Sequence, residues 1–281
     1  MTEFFAQKPA DQPGLALFLN AGDPSLDVLP DLLWMLDECR VDCVELAVPF
    51  PNSPTDGPVI RRSADRALAN GVGLDDVLDV VGSVRTTLRH LRIALLADWS
   101  YTAKGQPLDQ FTRRVADSGA DGLLLHGLPP RLRAGYYQAA RDAVLPIVTT
   151  CYHNSHPQVV AESAAEATAY LYLVAQYGRS GSSSAADYVA LSAAIATVQE
   201  ATTAPVAVGF GVRSAADVAV MHDLGADAAI VGTAAVAQIE RAVSQQTDAV
   251  EELYHFARTL RPLDQLVGAG ASAGAAGSDA A

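Results

Sequence analysis

Short apolar runs rich in valine, isoleucine and leucine alternate with longer amphipathic stretches along most of this chain. The runs show little of the period-two alternation of a half-exposed strand, so they predict strands that are buried on both faces. The predicted strands are residues 15–20, 43–48, 92–97, 122–126, 146–150, 169–174, 205–208 and 228–231. The predicted helices between them include 26–38, 109–118, 130–143, 185–200 and 215–224. This order is typical of parallel strands joined by helices.

Eight strand–helix units in about 260 residues match the size of one (β/α)8 barrel. The predicted fold class is therefore α/β, with a single TIM barrel as the catalytic domain over residues 1–266. An open doubly wound sheet is the alternative, which is disfavoured because no Gly-x-Gly-x-x-Gly follows the first strand. Residues 267–281 are almost entirely glycine, alanine and serine. They predict a disordered tail, because such a segment buries too little apolar surface to offset its backbone entropy.

The charge balance excludes some partners. The chain has 32 acidic and 19 basic residues and a net charge of −13, so it lacks the basic surface that nucleic acids need. It has no apolar run long enough to cross a membrane and no signal-like start, so we expect a cytoplasmic protein. The three cysteines, Cys39, Cys43 and Cys151, show no Cys-x-x-Cys spacing and predict buried thiols.

One predicted strand carries a carboxylate in its middle. Glu45 interrupts the apolar run 43–48, and the pleat puts its side chain on the face of Cys43 and Ala47. Burial there would raise the pKa of Glu45 toward neutrality, as general acid/base catalysis requires. The loop that follows presents a second carboxylate, Asp56, so two acids can divide the proton transfers. The alternative is that Glu45 pairs with an arginine and Asp56 only caps the next helix.

Glycine-rich turns follow the last three predicted strands. They are Gly178-Arg179-Ser180-Gly181, Gly209-Phe210-Gly211 and Gly232-Thr233. Glycines let backbone N–H groups approach an anion closely, and a helix beginning at Thr233 would direct its positive dipole end there. Loops after strands seven and eight commonly hold phosphate in this fold. We therefore expect a phosphorylated small-molecule substrate, although each turn alone is also compatible with a simple loop.

A metal site is a further possibility. His126 ends strand four, His153 and His156 follow strand five, and Asp98 follows strand three. These nitrogen and oxygen ligands could converge on a divalent metal at the barrel mouth, for a metal-dependent aldolase acting on another phosphorylated substrate. Their spacing is not diagnostic, and ordinary hydrogen-bonding roles are favoured for the histidines. We therefore expect no metal and no organic cofactor.

Several motifs together resemble those of the tryptophan synthase alpha subunit family, in the same order and places. They are Asn20-Ala-Gly-Asp-Pro24, 45–50, Asp56-Gly-Pro58, Gly209-Phe-Gly-Val212 and Gly232-Thr-Ala234. The resemblance implies a TIM barrel that cleaves indole-3-glycerol phosphate, by a retro-aldol reaction, to indole and glyceraldehyde 3-phosphate. It implies a cytoplasmic lyase of tryptophan biosynthesis that needs no metal and no organic cofactor; release of indole into secondary metabolism is the alternative that the departures below leave open.

The resemblance also implies roles for individual residues. Glu45 is implied to be the general acid/base, and Asp56 to hold the indole N–H. Tyr172 is implied to line the substrate pocket, and the residues implied to bind the phosphate are Gly181, Gly211, Gly232 and Thr233. Gly178 and Arg179 are further phosphate-binding candidates because they belong to the glycine-rich turn after strand six and Arg179 adds a positive charge. We also predict that Phe18, Ala97, Trp99, Tyr101 and His126 line the pocket; residues 97–101 and His126 depart from the family's pattern, which indicates that the indole end of the pocket is rebuilt.

The chain differs from the family at two positions that the family uses to communicate with a partner subunit. The family usually has acidic residues after Phe50 and after strand four, used in signalling to a beta subunit, whereas this chain has Asn52 and Gly127. His126 stands where a small residue is usual. These departures favour a free-standing lyase that acts on indole-3-glycerol phosphate or on a close analogue of it, and they make a beta-subunit partner doubtful. A catalytically lapsed binding or regulatory subunit is the third hypothesis, which retention of both carboxylates disfavours.

Overall fold

The structure is a computed structural model that describes residues 4–5, 13–175, 185–209 and 211–261. Within these ranges the chain forms eight strands: β1 Gly14–Asn20, β2 Cys43–Ala47, β3 Arg92–Asp98, β4 Gly122–His126, β5 Val148–Tyr152, β6 Tyr170–Val174, β7 Val206–Gly209 and β8 Ala228–Val231. All eight predicted strands are present. β5 and β7 begin one or two residues later than expected, because Pro146 and Pro205 have no N–H to donate to a ladder.

The strands are parallel and follow the order β4-β3-β2-β1-β8-β7-β6-β5. A parallel bridge between Leu123 and Ile147 brings the two ends of this sheet together. The sheet therefore closes, which confirms the predicted TIM barrel and excludes the open doubly wound alternative. The predicted tail, 267–281, lies outside the described residues.

Helices separate the strands. They are α1 Leu29–Glu38, α2 Pro58–Ala69, α3 Leu74–Val84, α4 Leu108–Asp117, α5 Pro130–Asp142, α6 Pro157–Glu166, α7 Ala185–Ala201, α8 Ala215–Asp223, α9 Thr233–Gln245 and α10 Ala249–Leu260. The first predicted helix is divided into a 3-10 turn, Leu26–Val28, and α1, at whose start Pro30 lies. Five residues after β3, Trp99–Ala103, form a π-helical turn.

The pleat of the strands sorts the side chains into two layers. Residues such as Leu17, Val44 and Leu46 are fully buried in the outer core between the barrel and the helices. Their neighbours along the strands, such as Ala16 and Cys43, form a smaller inner core. The described part of the barrel interior is therefore filled with side chains.

Two adjacent aromatic residues, Phe4 and Phe5, belong to this inner core and are 2% and 4% exposed. Their rings pack edge-on against Tyr170 of β6, with centroids 5.3 and 5.5 Å away. Glycine makes room for them: a Cβ on Gly122 would lie 2.9 Å from Phe4 Cζ, and the Phe5 ring leaves no space for one on Gly14. The pair therefore fills the amino-terminal end of the barrel, which the sequence analysis did not predict.

The three cysteines are free and buried, as expected. Among the helices in the described ranges, none has the length and apolarity of a membrane span.

Candidate active site

Glu45 lies in the middle of β2 and points into the barrel. Cys43 and Ala47, two residues to either side, belong to the inner clusters, so the pleat places Glu45 on the same face. The residue is 3% exposed. Its Oε1 accepts a 2.7 Å hydrogen bond from the hydroxyl of Tyr170 on β6. The partner of Glu45 is thus a neutral phenol and not the arginine of the alternative hypothesis.

This environment sets the pKa of Glu45. Burial disfavours the charged carboxylate and raises the pKa from 4.5 to about 7, while the hydrogen bond from Tyr170 opposes the rise. Burial together with the nearby Glu45 carboxylate also raises the pKa values of Tyr170 and Cys43, so both stay neutral. Glu45 can therefore exchange a proton near neutral pH, as a general acid/base must.

Asp56 borders a small, open cavity of about 60 Å³ at the carboxyl-terminal mouth. The lining residues come from the ends of β1, β3 and β4, from the loop after β2 and from α2: Phe18, Asn20, Phe50, Asn52, Ser53, Thr55, Asp56, Arg61, Ala64, Leu96 and His126. Gly57 is the N-cap of α2, and in the described structure Asp56 makes no hydrogen bond to this helix. A capping role for Asp56 is therefore not supported.

The two carboxylates act on the same part of the barrel. Phe18, which lines the cavity beside Asp56, is the register partner of Glu45 on β1. The hydroxyl of Tyr172 on β6 is affected by both carboxylates. Burial raises the pKa of this hydroxyl, and the charges of Glu45 and Asp56 raise that pKa further. Tyr172 lies directly over Gly209, where its ring leaves no space for a Cβ. Asp56 lines the cavity itself, whereas Glu45 and Tyr172 are not among the residues that line it and lie close enough for their charges to interact.

The glycines that follow β7 and β8 lie at the same mouth. Gly211 is exposed and has a φ of 55°, a left-handed conformation that favours glycine. Gly232 is the N-cap of α9, which begins at Thr233. A Cβ on Gly232 would lie 3.8 Å from Phe18 Cβ, so this turn borders the cavity wall. Gly178, Arg179 and Gly181 lie outside the described residues.

The four candidate metal ligands do not converge. Asp98 Oδ2 lies 3.1 Å from His126 Nδ1, whereas His156 accepts a hydrogen bond from the Gln158 N–H at the start of α6. His153 follows β5 and donates its backbone N–H to Val174. In the parts of the chain that the structure describes, no group of three or more metal-binding side chains is found. The metal-dependent aldolase is therefore not favoured.

Of the other predicted pocket residues, Phe18 and His126 line the cavity. Tyr101 is 59% exposed and stacks on Phe50, with ring centroids 6.2 Å apart. Ala97 is buried in the outer core, and Trp99 packs against that core. These last two side chains therefore support the strand ends and are not among the residues that line this cavity.

Comparison with known proteins identifies this arrangement. The model of a family described as tryptophan synthase alpha chain matches residues 4–264. The chain belongs to the tryptophan synthase alpha chain family. The alpha chain of Ralstonia nicotianae is 31% identical over 262 residues, which is 93% of this chain and 97% of that protein.

Solved structures agree with this assignment. The alpha subunit from Legionella pneumophila has a TM-score of 0.80 and 26% identity, covering 89% of this alpha chain and 91% of that one. A tryptophan synthase complex from Pyrococcus furiosus has a TM-score of 0.76 and 26% identity, covering 89% and 98%. Membership confirms the predicted function, an aldolase-type carbon–carbon lyase that cleaves indole-3-glycerol phosphate to indole and glyceraldehyde 3-phosphate. The lapsed subunit is not favoured.

Sequence reasoning missed two residues of this site. Tyr170 is 125 positions from Glu45 along the chain, yet its hydroxyl is the hydrogen-bond partner of that carboxylate. The alternation of Tyr170 and Tyr172 along one strand was the signal that could have found it. Arg61 is an exposed cation that lines the cavity one turn into α2. Its spacing of four residues from Gly57, at the start of a helix, could have indicated this position.

Proposed function

We propose that Glu45 is the catalytic acid/base of this lyase and that Asp56 is its electrostatic partner. The observation that carries the proposal is a buried carboxyl group with a pKa of about 7, whose register partner Phe18 lines a cavity that a second carboxylate borders. A carboxyl with that pKa is populated in both protonation states at neutral pH. It can therefore give a proton in one step and take one in the next.

The reaction balances through these two groups. Protonated Glu45 gives its proton to the ring carbon that bears the glycerol chain, and Asp56 accepts a hydrogen bond from the indole N–H, stabilising the positive charge that develops there. The carboxylate then removes the proton of the adjacent glycerol hydroxyl. The carbon–carbon bond breaks, its electron pair returns to the ring, and indole and an aldehyde leave. Glu45 ends protonated, as it began.

The phosphate would lie at the ends of β7 and β8. Backbone N–H groups at Gly211, Gly232 and Thr233 supply hydrogen-bond donors, and the amino-terminal end of α9 adds its positive dipole. Tyr172 would pack against the substrate between this phosphate seat and Glu45. Gly178, Arg179 and Gly181, which lie outside the described residues, remain phosphate-binding candidates on the sequence alone. This arrangement compensates locally for the net charge of −13, which would otherwise repel a phosphate.

We also propose that this chain is catalytically active without a beta subunit, although alpha chains of this family normally pair with one. Asn52 and Gly127 provide no charge at the two positions where the family has acidic residues for this communication. We place the enzyme in the cytoplasm, where three free buried thiols would remain reduced.

A product assay on the purified full chain tests this function. The chain is incubated with indole-3-glycerol phosphate without added metal, and indole and glyceraldehyde 3-phosphate are measured separately. The expected result is one equivalent of each, at a rate that changes less than about threefold when a tryptophan synthase beta subunit is added. Absence of both products with and without the beta subunit would refute the lyase; activity only with it would refute the free-standing enzyme.

A further inference from the structure

Asp98 and His126 form a dyad at the cavity, made from the ends of two adjacent strands. Asp98 is 6% exposed, and its Oδ1 accepts hydrogen bonds from the backbone N–H groups of Ser100 and Tyr101 at 2.8 and 3.1 Å. Its Oδ2 lies 3.1 Å from Nδ1 of His126. Because a carboxylate only accepts hydrogen bonds, Nδ1 must carry a proton, which leaves Nε2 of a neutral imidazole as an acceptor.

The ring of His126 is also fixed in orientation. It stacks on Phe50, with centroids 6.1 Å apart and planes 23° apart, and Tyr101 stacks on Phe50 at a similar angle. The His126 side chain is 32% exposed and lines the cavity. Among the residues that the structure describes, none makes a hydrogen bond to Nε2. The dyad therefore presents a polar atom, held rigidly, to a ligand in this cavity.

Gly127 leaves room for this dyad. It has a φ of 70°, and a Cβ there would lie only 3.3 Å from Oδ2 of Asp98, the oxygen that faces His126. A side chain at 127 would press on that carboxylate, and an acidic one would also repel it. The absence of a side chain at Gly127 therefore leaves room for the carboxylate of Asp98, and that carboxylate orients the imidazole of His126.

The position of the dyad assigns it to one end of the substrate. In the strand order, β3 and β4 lie on the other side of β1 and β2 from β7 and β8. A substrate whose phosphate lies at Gly232 and whose reacting carbon lies at Glu45 would extend its aromatic ring toward this wall. Leu96, which is apolar, also lines the cavity there, so His126 places a polar side chain beside an apolar part of the lining.

Resting on the proposed function, we infer that the Asp98–His126 dyad is a specificity site for indole-3-glycerol phosphates whose benzo ring bears a hydroxyl or amino group. Such a substituent donates its proton to Nε2 of His126. An unsubstituted or methylated ring leaves Nε2 without a partner when the ring excludes water from the pocket. The loss of a hydrogen bond to a desolvated polar atom is what discriminates the two classes of ring.

Binding of indolylalkyl phosphates tests this inference independently of turnover, because these ligands have the ring and the phosphate but no bond that the enzyme can cleave. Dissociation constants are measured by calorimetry for the plain compound and for pairs with a hydroxyl or a methyl group at each benzo position. In the wild type we expect a hydroxyl to be preferred over a methyl roughly tenfold at one position. His126→Phe keeps a ring to stack on Phe50 and removes the acceptor, so this ratio should fall to about one. His255→Phe, a change on the exposed face of α10, should keep it.

A ratio below about threefold at every position in the wild type would overturn the inference, as would an unchanged ratio in His126→Phe. Failure of the proposed function has a different signature, since the plain indolylalkyl phosphate would then not bind.

Discussion

The hydroxyl of Tyr170 donates a 2.7 Å hydrogen bond to Oε1 of Glu45 across the interior of the barrel. One side chain is fully buried and the other is 3% exposed, so the bond lies in a region of low dielectric. It favours the charged carboxylate, whereas burial favours the neutral acid. The balance of these two effects keeps the pKa of Glu45 at about 7 rather than higher, and the predictions below depend on that balance.

Tyr170→Phe should raise the pKa of Glu45, because it removes the donor that stabilises the carboxylate without changing the ring. We expect the limb of the pH–rate profile for kcat/KM that reports Glu45 to move to higher pH. Tyr136→Phe is the matched control, because Tyr136 is also a buried phenol but donates to Leu123 O outside the barrel interior. Coincident profiles for Tyr170→Phe and the wild type would show that the hydrogen bond does not tune the acid.

The raised pKa also makes stability depend on pH. Between pH 4.5 and 7 the folded state keeps a proton on Glu45 that the unfolded chain has lost, so the free energy of unfolding falls as pH rises through this window. The fall is on the order of 3 kcal/mol. Glu45→Gln cannot ionise, so its stability relative to the wild type should increase by that amount from pH 4.5 to 8, measured by urea unfolding. Glu200→Gln, at an exposed glutamate, should show no such trend.

Phe5→Ala should weaken both the fold and the site. Phe5 is 4% exposed and packs on Tyr170, and removal of such a ring costs about 3–5 kcal/mol. Because Tyr170 loses the ring that it packs against, we also expect a lower kcat in the folded variant. The limb of the pH–rate profile that reports the pKa of Glu45 should also shift. Phe111→Ala is the control: it removes a fully buried ring from the outer core, so it should destabilise similarly and leave the limb in place. Equal pH profiles in the two variants would count against positioning by Phe5.

Gly232→Ala tests the phosphate seat. The added Cβ would lie 3.8 Å from Phe18 and 3.9 Å from Ile60, ordinary contact distances, so the variant should fold. Its methyl group would occupy space that a phosphate needs, and we expect KM to rise at least roughly tenfold. Gly135→Ala on α5 has nothing within 4 Å of its Cβ and should leave KM unchanged. If Gly232→Ala keeps the KM of the wild type, the phosphate lies elsewhere.

The sequence predicted the barrel because buried parallel strands leave a strong local signal. The apolar runs in β1 to β8 are short and regularly spaced, and the charge that interrupts one of them in mid-strand was found at Glu45. The carboxylate after β2 and the glycines after β7 and β8 were found because this fold places its functional groups at strand ends.

Long-range pairing was not accessible in the same way. The contact of Phe4 and Phe5 with Tyr170 depends on closure of the barrel, and no periodicity marks a two-residue segment. The histidines show the same limit. His126 meets Asp98 because β3 and β4 are neighbours, whereas His156 caps a helix instead of joining them. Spacing along the chain does not distinguish these outcomes, because they depend on how each side chain leaves its strand or loop.

The rate of indole release by Glu45→Gln tests the central claim most directly. The variant has nearly the shape of the wild type but can neither give nor take a proton at this position. We predict that turnover of indole-3-glycerol phosphate falls roughly thousandfold at pH 7, while binding of an indolylalkyl phosphate persists. A variant that binds this ligand and turns over within tenfold of the wild-type rate would contradict the role of Glu45 as the acid/base.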